Sequence, residues 1–373
     1  MALRRQDWRG AAELLGAIPA QSATIEVLLD QALALRMAGE LPRAVEVLDA
    51  ALVLDPRSFL ALLSKGALLE RLARSKDAAV VYKNALAVAP PDGTLPSGLI
   101  APLERAREAV RAHAEALATY LRAGVAELRG RFPGEVLDRF DESLAIYCGL
   151  ATPYPQQPLV FHYPRLAAIP FHDRAMFPWL ATLEAATPII QAELAEARRA
   201  RAADFAPYVA FPPGVPVNQW GDLNHSPAWS TFFLWRDGAR FDAACALCPQ
   251  TAALLTQLPM TDQPGFAPTA MFSVLDARKH IPPHTGAANT RLIVHLPLVL
   301  PGPARFRVGA ETREWRMGEA WVFDDTIEHE AWNDADEART ILIFDIWHPS
   351  LSEAERALVS AMMTAKNAYM AQG

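Results

Sequence analysis

The chain has little cysteine, no basic block and no long apolar run, and each shortage removes a class of protein. Its three cysteines among 373 residues, Cys148, Cys245 and Cys248, cannot build the disulfide framework of a small secreted domain. An odd number suits a reducing compartment, so the expected location is the cytoplasm. The Cys245-x-x-Cys248 spacing suits a redox or zinc pair, but a structural zinc site takes four ligands and there is no second pair. Basic residues number 35 against 42 acidic, a net charge of −7, and they are spread without clusters, which argues against nucleic acid as a partner. No stretch reaches the roughly 18 apolar residues of a membrane span. The opening, Met1-Ala-Leu-Arg-Arg-Gln-Asp-Trp8, lacks the apolar centre of a signal peptide. What is present, 51% hydrophobic and 21% charged residues, predicts a soluble, multi-domain globular protein with two or three cores.

The first ninety residues repeat. Ala32 to Pro56 aligns on Gly66 to Pro90 at an offset of 34, the tetratricopeptide period. Leu35 matches Leu69, the small Ala44 matches Ala78 where paired helices approach closely, and Pro56 matches Pro90 at the end of each second helix. A weaker copy, Gly10-Ala-Ala-Glu-Leu-Leu, lies one period upstream. Two units and a fragment make a short helical stack that must lean on the segment after it to cover its faces. Leu99 to Gly130 and Gly134 to Leu150 read as helices on either side of the Phe132-Pro133-Gly134 break. The expected domains are therefore 1–96 (repeats), 97–152 (a helical bridge) and 153–373, with the boundary in the stretch bearing Pro153, Pro155, Pro158, Pro164 and Pro170.

Beyond an amphipathic helix expected from Phe177 to Ala203, the texture changes to short β-rich runs separated by Gly, Pro and Asp. Trp229 to Trp235, Thr269 to Leu275, Arg291 to Leu298, Ala320 to Phe323 and Arg339 to Ile346 are examples, and they predict an antiparallel sandwich or barrel closed by a helix from Ser352 to Ala371. In the third run, period two puts Leu292, Val294, Leu296 and Leu298 on one face and Arg291, Ile293 and His295 on the other. The last run sets Arg339 and Asp345 opposite Thr340, Leu342 and Phe344. Polar groups on the inner face predict a lined cavity in which an arginine fork can hold a small acid. His284, after Ile281-Pro-Pro, and His329, closing Phe323-Asp-Asp-Thr-Ile-Glu, fall at strand ends or turns. Imidazole suits Fe(II), and two such groups on opposite sheets would clamp a metal at the mouth of a barrel. Spacing alone leaves a second reading open, in which both are surface or capping histidines.

The stretch Pro283-His284-Thr285-Gly286-x-x-Asn289-x-Arg291-x-x-x-His295-Leu, the stretch Phe323-Asp324-Asp325-x-x-x-His329-Glu330-x-Trp332-x-Asp334, Arg339 ten residues on, and Asp345-Ile-Trp347-His348-Pro349 together resemble the aspartyl/asparaginyl β-hydroxylase family of Fe(II)- and 2-oxoglutarate-dependent oxygenases. Trp229-Ser-x-Phe-x-Leu-Trp235 resembles a further family segment. The likeness covers roughly Pro153 to the C-terminus, and some members carry tetratricopeptide repeats ahead of the catalytic domain. The resemblance implies an α+β multi-domain chain: N-terminal α-helical repeats followed by a double-stranded β-helix (jelly-roll) oxygenase domain.

It further implies His284 and His329 as the two metal ligands, and Arg339 as the partner of the distal carboxylate of 2-oxoglutarate. Ser273 and His295 would bind the same cosubstrate, Arg291 and Trp229 would face the substrate, and Asp325 would be the catalytic-site carboxylate orienting water or a ligand beside the metal. Most related oxygenases carry a carboxylate two residues after the first histidine; here that position is Gly286, an absence the family shares. The implied reaction consumes O2 and 2-oxoglutarate, releases succinate and CO2, and hydroxylates an unactivated carbon of an Asp- or Asn-type side chain in a protein or peptide presented by the repeats. A second arginine, common in the family two residues after the first, is Ile293 here, which puts recognition of an acidic side chain in doubt. The alternatives are the same chemistry on a lipid acyl chain or small molecule, and a non-catalytic repeat scaffold. His225, His280 and His348 are read as structural or surface residues.

Overall fold

The computed structural model describes residues 7–91 and 93–372 and divides into two compact units, Met1–Thr152 and Pro153–Gly373. Residues 1–6, most of the opening read above for a signal peptide, lie outside the described residues.

The first unit contains α1 (Trp8–Gly16), α2 (Ile25–Met37), α3 (Leu41–Leu54), α4 (Phe59–Arg71), α5 (Ser75–Ala87), α6 (Ser97–Arg129) and α7 (Asp138–Cys148). The 34-residue period is built into its details. Thr24 and Ser58 stand one period apart, and each hydroxyl accepts a backbone N–H of the first turn of its helix, satisfying a donor with no partner inside the helix. Gly39 and Ala73, again one period apart, both take positive φ where α2 and α4 end. The next amides, of Glu40 and Arg74, reach back to the carbonyls of Leu35 and Leu69 at 2.9 Å, the closure expected after a left-handed residue. Ala44 and Ala78 are fully buried. Ala106 of α6 joins the core of the repeats, so the long helix covers the face the second repeat leaves open.

The second unit begins with α8 (Leu180–Ala185) and α9 (Thr187–Ala200). One helix was expected across both. The chain instead breaks at Ala186, and Pro188 sits in the first turn of α9, the one place in a helix where its missing N–H costs nothing. Then follow β1 (Ala206–Pro207), β2 (Trp229–Arg236), β3 (Ala239–Arg240), α10 (Asp242–Leu247), α11 (Pro249–Leu255), β4 (Ala270–Leu275), β5 (His280–His284), β6 (Arg291–Val299), β7 (Ala304–Val308), β8 (Glu311–Glu314), β9 (Trp321–Phe323), β10 (His329–Asn333), β11 (Arg339–Trp347) and α12 (Glu353–Met370).

Among the described residues, one sheet runs β1-β2-β4-β11-β6-β9 with β3 on β2, and the other runs β5-β10-β7-β8. From β4 to β11 the chain passes back and forth between these sheets, all pairings being antiparallel. That strand order is a double-stranded β-helix, or jelly roll. The larger sheet is two-faced. Leu292, Val294, Leu296 and Leu298 of β6, with Leu342, Phe344 and Ile346 of β11, pack outward against residues of α8 to α11, and the opposite faces of β6 and β11 look between the sheets. The polar groups of the inner face are thereby enclosed.

Candidate active site

The space between the sheets holds a cavity of about 540 Å³, within the usual range for small-ligand sites. His284, the last residue of β5, and His329, the first of β10, are direct partners in the antiparallel register. Their rings lie 4.1 Å apart between centroids. The expectation that they stand on opposite sheets is therefore corrected: both belong to the smaller sheet, and cross-strand pairing is what brings them together. Each ring is oriented from behind, His284 Nδ1 by the carbonyl of Pro282 at 2.8 Å and His329 Nδ1 by that of Ile327 at 3.0 Å. A nitrogen facing a carbonyl carries the proton, which leaves Nε2 of both rings as a lone-pair donor. Burial holds both imidazoles below their ordinary pKa, His329 well below, with neighbouring His284 adding to the effect there. Two neutral, pre-aimed imidazoles in contact are a donor set that fits a divalent first-row metal.

Among the described residues, no set of three or more His, Cys, Asp or Glu side chains forms a metal cluster. The position beside the pair is filled differently. A Cβ added at Gly286 would overlap the carboxylate of Asp325, and the Gly286 amide donates to the Asp325 carbonyl at 2.6 Å. Glycine is required here because a carboxylate from the turn before β10 occupies the volume that a side chain at this position would take. Asp325 Oδ1 is buried without a hydrogen-bond partner. Burial, opposed by Arg291 and reinforced by Asp324 and Asp345, pushes the carboxyl up to about 7.

Deeper in the same cavity lies Arg339, only 2% exposed. Its guanidinium rests over the Trp315 ring at 4.9 Å, yet Nε and Nη1 have no partner and no carboxylate among the described residues pairs with it. Burial pushes this arginine down to about 9. An unpaired buried cation is expensive, and in a ligand cavity it marks an anion subsite. Next to it, His295 is held neutral, well below its usual pKa, first by burial and then by Arg339, and its Nδ1 is also unpartnered. Ser273 Oγ accepts the Trp229 indole N–H at 3.0 Å, which leaves the hydroxyl proton to donate. Cation, hydroxyl and imidazole form a cradle fitting the distal carboxylate of a small diacid.

All eight residues singled out from the sequence (Trp229, Ser273, His284, Arg291, His295, Asp325, His329 and Arg339) line this one cavity. Sequence reasoning missed Asp345 as a partner of Arg291, although period two had put both on inner faces. It also missed Tyr208 and Trp220, whose rings lie 4.3 and 5.9 Å from that of Trp229 on a proline-rich loop with no periodic signal. The remaining histidines have other roles: His280 pairs with Glu330 and stacks on Trp332, His225 contacts the Phe211 carbonyl, and His348 is buried beside His172. Cys245 and Cys248 are buried and direct their thiols at backbone carbonyls.

These features define a class, a jelly-roll protein with a two-histidine centre beside an anion cradle. Residues 184–349, a stretch that takes in both histidines and Arg339, match the family model described as Aspartyl/Asparaginyl beta-hydroxylase. The chain is 35% identical over 195 residues to an ornithine lipid ester-linked acyl 2-hydroxylase of Rhizobium tropici, covering 52% of this chain and 65% of the relative. It is 38% identical over 142 residues to the aspartyl/asparaginyl beta-hydroxylase of Homo sapiens, covering 38% and 19%. It is 32% identical over 216 residues to the aspartate beta-hydroxylase domain-containing protein 2 of Xenopus tropicalis, covering 56% and 55%. The chain thus spans from about a fifth to just under two thirds of the length of these relatives.

Proposed function

We propose that this chain is an Fe(II)- and 2-oxoglutarate-dependent hydroxylase. The observation that carries the reading is the lone buried guanidinium of Arg339 in the same cavity as two imidazoles whose Nε2 atoms are free. His284 and His329 would hold the metal, and Arg339, Ser273 and His295 would hold the cosubstrate. Bound Fe(II) with 2-oxoglutarate and O2 supplies the oxidising power for hydroxylation, with succinate and CO2 released. The chain's own groups do the positioning. Arg339 and Ser273 fix the far end of the diacid, and Asp325 stands beside the histidine pair, where its carboxylate would orient water or a ligand. Trp220, 5.0 Å from the His284 ring, and Phe323, 5.7 Å from that of His329, keep bulk water from the pair.

For the substrate, the reading is an Asp- or Asn-type side chain of a protein or peptide, bound near Arg291 and Trp229, with the helical repeats presenting the chain. A second reading, an acyl chain, is favoured by Ile293 in the place of a second arginine and by the aromatic wall of Tyr208, Trp220 and Trp229. The name of the Rhizobium tropici relative agrees with it. No described helix is long and apolar enough to cross a membrane, and three free, buried thiols suit the reducing cytoplasm we assign to it. The test is succinate release from 2-oxoglutarate in the presence of Fe(II), with peptide and acyl substrates in parallel. Release should vanish in His284→Ala and His329→Ala; a chain that binds neither Fe(II) nor 2-oxoglutarate refutes the proposal.

A further inference from the structure

Two polar residues of the histidine motifs, Asn289 and Asp324, are fully buried and yet do not line the cavity. Both meet the proline-rich segment 153–163, which lies upstream of the stretch that matches the family model. Pro155 and Pro158 keep Tyr154 and Gln157 out of the helical region, and the segment passes between two loops without forming a helix or strand. Toward the loop after His284, the Leu159 amide donates to the Gly286 carbonyl at 2.9 Å, and the Val160 and Phe161 amides donate to that of Ala287 at 2.9 and 3.1 Å. Toward the turn before His329, the Gln157 amide donates to the Thr326 carbonyl at 2.7 Å. The Gln156 side chain spans both. Its Nε2 donates to Asp324 Oδ2 at 2.5 Å, and its Oε1 accepts Asn289 Nδ2 at 3.0 Å. The direction of these bonds is fixed from outside. Asn289 Oδ1 accepts the Tyr163 amide at 2.7 Å, which turns Nδ2 toward Gln156 and the Tyr163 carbonyl. Asp324 Oδ1 is taken by the amide and hydroxyl of Thr326 at 2.9 and 2.6 Å, which leaves Oδ2 for Gln156. Between a donor and an acceptor so fixed, a primary amide satisfies both.

We propose that Gln156 is a positioning residue whose amide ties the loop after His284 to the turn before His329 and so keeps Gly286 against Asp325 beside the histidine pair. The two loops touch directly where the Gly286 amide donates to the Asp325 carbonyl at 2.6 Å. Asn289 stands three residues from Gly286 and Asp324 one residue from Asp325, so the glutamine bridge closes a ring around that contact. The Asp325 carboxylate fills the space that the glycine leaves, and its place beside the two imidazoles follows from how closely the loops are held. Breaking a buried, fully satisfied bridge strands its partners and loosens what they hold. The consequence at the metal rests on the hydroxylase reading; the tie between the loops does not.

The test uses the full chain and two readouts, amide hydrogen exchange of the metal-free protein and Mn(II) affinity by electron paramagnetic resonance. Gln156→Glu sets two carboxylates face to face. Asp324→Asn sets an NH2 group against another donor whichever way the asparagine turns. Each should speed exchange several-fold in the segments 284–290 and 324–329 and weaken Mn(II) about ten-fold. With both changes in one chain the asparagine donates and the glutamate accepts from both sides, so exchange and Mn(II) affinity should return close to wild type. Gln156→Ala removes the bridge without an opposed charge, and should loosen the same segments even if Gln156→Glu does not fold. Unchanged exchange in the single variants overturns the proposal, and so does a double variant no better than either single one. Loosening spread evenly over the strands of both sheets also overturns it, because the amide would then support the fold at large; so does local loosening that leaves Mn(II) affinity intact. A wild type that binds no Mn(II) refutes the hydroxylase reading instead, and exchange in the two segments still decides whether Gln156 ties the loops.

Discussion

Replacing Arg339 with methionine is expected to make the second unit more stable as long as no diacid is present. Burial pushes this guanidinium from the ordinary arginine range down to about 9. At about 1.4 kcal/mol per pKa unit, a depression of that size is several kcal/mol of lost solvation. The sign is unfavourable to the wild type at working pH: a base whose folded pKa is depressed carries its penalty at every pH below the folded value, so it is fully present at pH 7. Methionine keeps the apolar stem and part of the Trp315 contact, and exchange of a buried charge for apolar volume commonly yields about 1–4 kcal/mol. In a domain of this size each kcal/mol moves the melting point by about 2–4 °C, so a rise of roughly 3–10 °C is expected. Thermal denaturation followed by tryptophan fluorescence isolates the unit, since eight of the nine tryptophans lie in it and only Trp8 lies outside. Adding 2-oxoglutarate or glutarate should reverse the order. Saturation at a hundred times Kd stabilises the wild type by about 2.7 kcal/mol and the variant hardly at all, while pentanoate, which has only one carboxylate, should do less than glutarate. A variant that melts below the wild type without ligand, or one that responds to the diacids as strongly, refutes the reasoning.

Further expectations concern the metal pair, the carboxylate beside it and the repeats. Mn(II) affinity measured by electron paramagnetic resonance should fall at least a hundred-fold in His284→Ala and in His329→Ala. In the wild type it should hold steady as pH drops to 6.5, because burial delays protonation of both rings to lower pH. In the metal-free protein, Asp325 is a carboxyl raised to about 7, so stability should decline as pH rises from about 4, where the unfolded acid ionises, to about 7, and level off above. Asp325→Asn should abolish that decline and gain up to about 4 kcal/mol at pH 8 in urea denaturation. Gly286→Ala should displace the Asp325 carboxylate and cost about 1–3 kcal/mol, with Asp325→Gly in the same chain restoring most of it. Ala73→Gly, at a positive φ where the preceding repeat has Gly39, should stabilise the first unit by about 1 kcal/mol. Gly66→Ala should destabilise that unit by driving a methyl into the Tyr82 ring. Circular dichroism melts check both.

The sequence alone determined the elements whose signals are local and periodic. A 34-residue offset announced the helix pairs through their matched leucines, small alanines and closing prolines, while the caps at Thr24 and Ser58 and the left-handed endings at Gly39 and Ala73 came from the structure. Alternation along β6 and β11 separated an apolar outer face from an inner one carrying Arg291, His295, Arg339 and Asp345, since a strand has only two faces. The motifs around His284 and His329 carried the resemblance to the hydroxylase family. Tertiary structure decided what depends on which strands become neighbours. Pairing of β5 with β10 put the two histidines on one sheet, not two. The turn before β10 brought Asp325 into the space kept open by Gly286, about forty residues away in the chain. Pairing of β11 with β6 gave Arg291 a carboxylate partner and left Arg339 with none. Two arginines that look alike as letters thus differ in their partners, because register and burial, which no local pattern encodes, assign their counter-charges.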